Sequence, residues 1–279
     1  MERARFRKRP LQVRGAAWEN GCVNPWLIDG PAAVVAAAAG LTAYGAVHPR
    51  AQLLGKTVCR TNSPRKLAIT FDDGPNPAIT PKLLDLLDRY KAKATFFLIG
   101  KYVRECPELA KETIARGHSV GNHTETHPNL LRLFPMQVRV ELRLCHDAIR
   151  GVLGAPPKWF RPPFGMRNPW VIPSARELGY QTVMWTLIPG DWREKPADWL
   201  IPHMQPIAQH AQQNLASGVV GAATGHSSTG DILCLHDGSH RGLNGDRTRT
   251  LAALEYWLPR WRDLGLEFVT IDDAVHTPA

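Results

Sequence analysis

Two histidines four residues apart, His123 and His127, are the first sign of chemistry in this sequence. On one helical turn this spacing projects both imidazoles from the same side, where they suit one metal ion, and Pro128 would end the turn. A carboxylate from another segment would complete a set of two histidines and one carboxylate, which catalytic zinc uses with a position left for water. Asp72 and Asp73, adjacent in the segment TFDDGP, can supply it and keep one carboxylate spare. Each feature alone fits a solvated loop or a tight turn equally well.

Further reactive side chains lie in three segments later in the chain. Arg161 begins the segment RPPFG, Asp191 and Trp192 form an Asp-Trp pair, and His236 ends the segment LCLH. Taken singly, these residues are explained as well by a surface ion pair, ordinary aromatic packing and a hydrogen-bonded core histidine. The five cysteines include no CxxC pair and give no case for a cysteine nucleophile.

The elements that carry these segments alternate between β-rich and helical patterns from residue 65 onward. Short apolar runs predict seven strands, over 67–71, 94–99, 118–122, 159–161, 181–185, 231–236 and 267–271. Helical patterns cover 81–90, 107–116, 136–153, 173–178 and 248–264. This alternation predicts an α/β fold, a distorted (β/α) barrel of about seven parallel strands similar to a TIM barrel. The active site of such a barrel lies at the carboxyl ends of the strands, where all five reactive segments fall.

In the order of these five segments, the sequence resembles the polysaccharide deacetylases that share the NodB homology domain, carbohydrate esterase family 4. The resemblance covers about residues 65–273. It implies a fold of the NodB type and a role for each matching residue. Asp72 matches the catalytic base, and Arg161 matches the arginine that keeps that base ionised. The metal ligands match Asp73, His123 and His127.

The same resemblance assigns the proton donor and the substrate groove. His236 matches the general acid, and Asp191 matches the aspartate that orients it. The implied substrate-binding residues are Phe164, whose backbone falls where the family stabilises the oxyanion, Trp192 in the groove, and Leu233 and Leu235 near the acetyl methyl group. The implied cofactor is a divalent metal, and zinc is the first expectation. The same ligand set also suits cobalt, nickel, iron or manganese.

Three local differences from the family pattern concern the substrate more than the reaction. Ile188 stands where the fourth motif usually has an earlier aspartate, and Phe164 stands where many members have tyrosine. The stretch 205–230 predicts a helix followed by a flexible insertion that would cover or extend one side of the groove.

The amino-terminal region, residues 1–48, combines a basic arm with an apolar run. Residues 31–47 carry no charge and are rich in alanine. We expect this run to be a membrane anchor or a secretory signal, with a soluble packed helix as the alternative, since its length and hydrophobicity are both marginal. An anchor would place the catalytic domain at the extracytoplasmic face of the membrane or outside the cell, and a soluble helix would leave it in the cytoplasm. Residues 49–64 have a linker-like composition, and the catalytic domain spans 65–279.

The charge and composition exclude several classes of protein. The 279 residues carry a formal net charge of +9, but residues 1–50 hold seven Arg and Lys against three acidic residues, and no nucleic-acid module accompanies the charge. We therefore expect an acetylated glycan, and no nucleic acid, as the partner. Collagen-like, disordered and disulfide-framework classes are also excluded.

The function that these features favour is metal-dependent removal of N-acetyl groups from glycans containing N-acetylglucosamine. Peptidoglycan, chitin oligomers and exopolysaccharide all present that group, and the sequence does not choose among them. Two alternatives stay open. In the first, the same site acts on O-acetyl esters or on small amides and imides. In the second, the protein is not an enzyme but binds a glycan without catalysis.

Overall fold

The computed structural model describes residues 25–216 and 229–275. The chain divides into two compact units, one that ends at Leu41 and one that begins at Thr42. The predicted apolar run lies in a helix, α1 (Pro25–Val47). None of the helices in the described ranges is both long enough and apolar enough to span a bilayer. The basic arm up to residue 24 lies outside the described residues.

Helices and short strands alternate along the rest of the chain. After α1 they are β1 (Lys66–Gly74), α2 (Thr80–Arg89), β2 (Ala94–Leu98), α3 (Gly100–Glu105), α4 (Pro107–Ala115), β3 (Ser119–Asn122), α5 (Pro135–Leu153), β4 (Trp159–Phe160), α6 (Val171–Glu177), β5 (Gln181–Thr182), α7 (Ala197–His203), α8 (Gln205–Ala216), β6 (Asp231–His236), α9 (Thr248–Asp263), β7 (Glu267–Phe268) and α10 (Ile271–Val275).

The seven strands form one parallel sheet that curls into an open barrel, as predicted. The order of the strands is β5-β4-β3-β2-β1-β6, and β7 pairs with β1 outside this path. Strand β1 therefore pairs with three strands, β2, β6 and β7, and the register places Asp72 beside Phe97 on β2 and beside His236 on β6. The carboxyl ends of these strands meet at one edge, so residues far apart in sequence share a site there.

Burial explains why these segments become strands and helices. Strand β1 is buried along almost its whole length, as expected for a parallel strand covered on both faces. Helix α2 begins with Pro81 in its first turn and buries four leucines on one face, Leu83, Leu84, Leu86 and Leu87. Helix α5 ends at Leu153 and is followed by Gly154, whose φ of 74° is the left-handed conformation that commonly terminates helices.

Some segments differ from the sequence-based expectation. The segment predicted as a linker contributes to the sheet edge, because the Val58 amide donates to the Thr182 carbonyl and the Met184 amide donates to the Val58 carbonyl. Helices α3, α7 and α10 were not predicted. Helices this short show little periodic pattern, although the equally short α6 was predicted over 173–178. In the stretch 205–230 the predicted helix is present as α8, and the predicted insertion falls largely on residues 217–228, outside the described residues.

Candidate active site

A cleft of about 370 Å³ opens at the carboxyl ends of the strands. It brings together residues from β1, β6 and the loops after β3, β4, β5 and β6. Its lining consists of Asp72, Asp73, His123, His127, Phe164, Gly165, Trp185, Ile188, Trp192, Glu194, His236, Ser239, His240, Arg241 and Arg247. Most of the predicted site residues therefore share one cavity.

Asp72 is paired with the buried guanidinium of Arg161. Arg161 Nη1 donates to Asp72 Oδ1 at 2.8 Å and to Thr70 Oγ1 at 2.7 Å, and the other guanidinium nitrogens donate to the carbonyls of Val183 and Met184. Burial works to raise the pKa of Asp72, but Arg161 and the neighbouring His123 outweigh it and hold that pKa below its usual value. The carboxylate is therefore ionised and fixed in one orientation.

Asp73 faces both of the predicted metal-binding histidines. Its Oδ1 lies 3.6 Å from His123 Nε2 and 3.1 Å from His127 Nε2, and this buried oxygen has no hydrogen-bond partner among the described residues. His123 Nδ1 lies 2.8 Å from the Arg161 carbonyl, which fixes that nitrogen as the donor and leaves Nε2 facing Asp73. Burial and His123 lower the pKa of His127 to about 3, so His127 is neutral.

The segment that carries the two histidines is a loop, and the expectation of a helical turn was wrong. Thr124 and His127 adopt φ values of 68° and 61°, which no right-handed helix contains. Side chains take the place of helical hydrogen bonds: the Thr124 amide donates to Asn122 Oδ1 at 2.8 Å, and the His127 amide donates to Thr124 Oγ1 at 3.1 Å. The loop still brings both imidazoles to Asp73, with ring centroids 4.8 Å apart.

His236 is held by Asp191 on the opposite side of the cleft. Asp191 Oδ1 lies 2.8 Å from His236 Nδ1, and Asp191 Oδ2 accepts from the His236 amide and from Thr250 Oγ1. Burial lowers the pKa of His236. The buried Asp191 carboxylate has the opposite effect, and the charges of Asp191, Asp73 and Asp72 together raise the pKa of His236 to about 9. His236 is therefore protonated near neutral pH. The prediction that Asp191 lies at the end of a strand was wrong. Asp191 lies in the long loop after β5.

Apolar side chains form the walls of the cleft. Phe164 and Trp192 are 50% and 42% exposed, so both offer ring surface to a ligand, and Trp192 packs edge-on against His236. Phe164 has a φ of 57°, which turns the backbone sharply at the predicted oxyanion position. Ile188, which stands where the family usually has an aspartate, also lines the cleft.

The structure does not bring Leu233 and Leu235 to the cleft. Both leucines are fully buried in the core cluster between the sheet and the helices. Side chains alternate between the two faces of a strand, so on β6 Cys234 and His236 face the site and the two leucines face away. Cys234 instead contacts the site, since its Sγ lies 3.4 Å from Asp72 Oδ2.

His240 lines the cleft, and its role was not indicated by the sequence. Its Nδ1 lies 3.8 Å from Asp73 Oδ2, and its ring stacks on His127 with centroids 4.6 Å apart. Asp73, His127 and His240 offer ligand atoms that all lie within 4.8 Å of one another. No spacing rule signals this residue, because it lies more than a hundred positions from His127 on a different loop.

Comparisons with known proteins show which family the chain is similar to. The family model for polysaccharide deacetylase matches residues 60–183. A peptidoglycan-N-acetylglucosamine deacetylase of Bacillus cereus is 39% identical over 218 residues, which cover 76% of this chain and 89% of that protein. A chitooligosaccharide deacetylase of a Bradyrhizobium species is 35% identical, with coverage of 73% and 87%.

A solved structure shares the fold. The crystal structure of a peptidoglycan N-acetylglucosamine deacetylase in complex with 4-naphthalen-1-yl-N-oxidanyl-benzamide superposes with a TM-score of 0.66 at 27% identity, covering 80% of this chain and 94% of that one. The fold and site define a hydrolase of the deacetylase class. The chain belongs to the polysaccharide deacetylase family, carbohydrate esterase family 4.

Proposed function

We propose that this enzyme removes N-acetyl groups from N-acetylglucosamine units of a glycan, with a divalent metal held by Asp73, His123 and His127. The observation that carries the proposal is the buried Asp73 Oδ1, which has no hydrogen-bond partner in the part of the chain that the structure describes and faces Nε2 atoms of two histidines at 3.1 and 3.6 Å. A buried carboxylate oxygen without a hydrogen-bond partner is costly, and a cation at this point would remove the cost.

The donor set fits zinc best. One carboxylate oxygen and two imidazole nitrogens are the ligands that catalytic zinc sites use, and a neutral His127 has a lone pair to give. When bound, the metal supplies a Lewis acid for the acetyl carbonyl and a lowered pKa for water. Cobalt, nickel, iron and manganese accept the same donors.

The other residues supply acid and base catalysis. Asp72, ionised beside Arg161, is placed to accept a proton from the attacking water. His236, protonated because of Asp191, is placed to give a proton to the departing amine, which is a poor leaving group without one. One group is ready to take a proton and the other to give one at neutral pH, as amide hydrolysis requires.

The shape of the cleft favours a sugar over a small compact substrate. It is open, and Phe164 and Trp192 expose ring faces at its rim. The two relatives with the stated substrates peptidoglycan N-acetylglucosamine and chitooligosaccharide support the same class. On this proposal the enzyme acts at the cell envelope, where a peptidoglycan substrate would lie.

The test measures acetate released from chitin oligomers and from peptidoglycan by the full chain, with and without a chelator. Asp73→Ala is the test variant, and Asp263→Ala, an exposed carboxylate at the far end of α9, is the matched control. We expect release that the chelator stops, that Asp73→Ala loses by at least about a thousandfold, and that the control retains. Zinc bound to the wild-type chain without acetate release from either glycan would contradict the proposal.

A further inference from the structure

A third imidazole stands at the proposed metal centre, on a loop that follows β6. His240 Nδ1 lies 3.8 Å from Asp73 Oδ2, the carboxylate oxygen that does not face the other two histidines. The ring lies nearly parallel to His127, with 14° between the planes, and the edge of Phe164 contacts both rings. The side chain is about one-third exposed, so it reaches the site from the solvent side.

The loop that places His240 is tied down at several points. Asn76 Nδ2 donates to the carbonyls of Asp237 and Gly245, both at 2.8 Å, and so joins the two ends of the loop. Tyr102 Oη donates to the Ser239 carbonyl at 3.0 Å. A Cβ at Gly238 would collide with the Asp73 carbonyl, so only glycine allows the loop to lie this close to β1. The position of His240 is therefore set by the fold.

We propose that His240 is a fourth protein ligand to the metal, through Nδ1. The proposal rests on the proposed function, since it concerns the same metal. Ligand atoms in a tetrahedral zinc site lie about 3.3 Å apart, which follows from Zn–N distances near 2.05 Å. The ligand atoms of Asp73, His127 and His240 all lie within 4.8 Å of one another, and a rotation of the partly exposed His240 ring brings its Nδ1 closer to the other two.

The fourth ligand has a consequence for the open position of the site. Three protein ligands leave a tetrahedral ion open to water, whereas His240 would fill the fourth place or raise the coordination number to five with water bound. His240 thus secures the ion while the cleft is empty and is the ligand nearest to entering substrate. Among the four side chains it is the most exposed, so it is also the ligand most easily displaced.

The test counts imidazole ligands on zinc by X-ray absorption spectroscopy, using the full chain loaded with one equivalent of zinc. We expect three imidazoles in the wild-type protein and two in both His240→Ala and His240→Gln. Asn244→Ala, at an exposed residue of the same loop, is the matched control and should keep three. Competition with a chromophoric chelator measures affinity, and we expect His240→Ala to bind zinc at least about tenfold more weakly than Asn244→Ala.

The count separates a ligand from a residue that only supports one. Two imidazoles in the wild-type protein and in His240→Ala would overturn the proposal even if affinity fell, because a histidine that merely orients Asp73 changes affinity without changing the count. That result, with acetate release still stopped by a chelator, would leave the proposed function standing. No zinc binding by the wild-type chain would overturn both.

Discussion

Replacing Asp191 by asparagine removes the charge that keeps His236 protonated while preserving the size of the side chain. In the wild-type protein the pKa of His236 is about 9, against an ordinary value of 6.5. Burial lowers this pKa, and Asp191, 2.8 Å away, is the strongest influence that opposes burial. Without the charge we expect the pKa of His236 to fall to 6.5 or below, and the alkaline limb of activity to move with it.

The size of the effect depends on pH in a way that can be calculated. At pH 8 a histidine with a pKa of 9 is about 90% protonated and one with a pKa of 6.5 only about 3%, so kcat/KM for acetate release should drop about 30-fold. At pH 6 the same change costs less than about 1.5-fold, since both forms are largely protonated. The loss caused by Asp191→Asn should therefore grow steeply between these two pH values.

The assay is a pH profile of kcat/KM together with an NMR titration of the His236 ring. Thr250→Val is the control, because it removes a hydroxyl that donates to Asp191 but leaves the charge in place. Its alkaline limb should stay near pH 9. An Asp191→Asn variant that loses equal activity at pH 6 and pH 8, or whose His236 still titrates near 9, would refute the reasoning and leave Asp191 with a purely positional role.

Three further predictions concern the rest of the site and the core. Arg161→Met leaves the buried Asp72 without its ion pair, so the free energy of unfolding in urea should fall by about 3–5 kcal/mol and the acidic limb of activity should move to higher pH, because burial then raises the pKa of Asp72. Trp192→Ala removes an exposed ring from the cleft and should raise KM for chitin oligomers about three- to tenfold with little change in zinc affinity. Burial raises the pKa of the Cys145 and Cys234 thiols, so mass spectrometry after iodoacetamide treatment should find both unmodified in the native protein and modified only in denaturant.

The sequence predicted the strands and the reactive segments well, since both depend on short-range patterns. Buried parallel strands are continuous apolar runs, so β1 and β6 stand out by composition alone. The pairing of Asp72 with Arg161 and of Asp191 with His236 appears in the structure as the resemblance implied.

What the sequence did not predict depends on backbone conformation and on contacts between distant loops. The left-handed residues around Thr124 allow a loop to do what a helical turn was expected to do, and no spacing rule distinguishes the two. His240 meets Asp73 only because the loop after β6 folds back over β1, which a linear sequence does not show. The placement of Leu235 is a different case, since the alternation of side chains along β6 already predicts that a residue next to His236 faces the helices.

The pairing of β1 with three other strands bears on which part of this site fails first on heating. Asp72 and Asp73 are joined by one peptide unit, and His236 is the neighbour of Asp72 in the β1–β6 ladder, so the base, one proposed ligand and the acid are carried by backbone that strand pairing protects from local opening. Asp191 belongs to a loop and reaches His236 only through side-chain and amide hydrogen bonds. If that loop opens on heating before the sheet does, His236 loses the charge that keeps it protonated, so we expect heat inactivation to set in earlier at alkaline than at neutral pH.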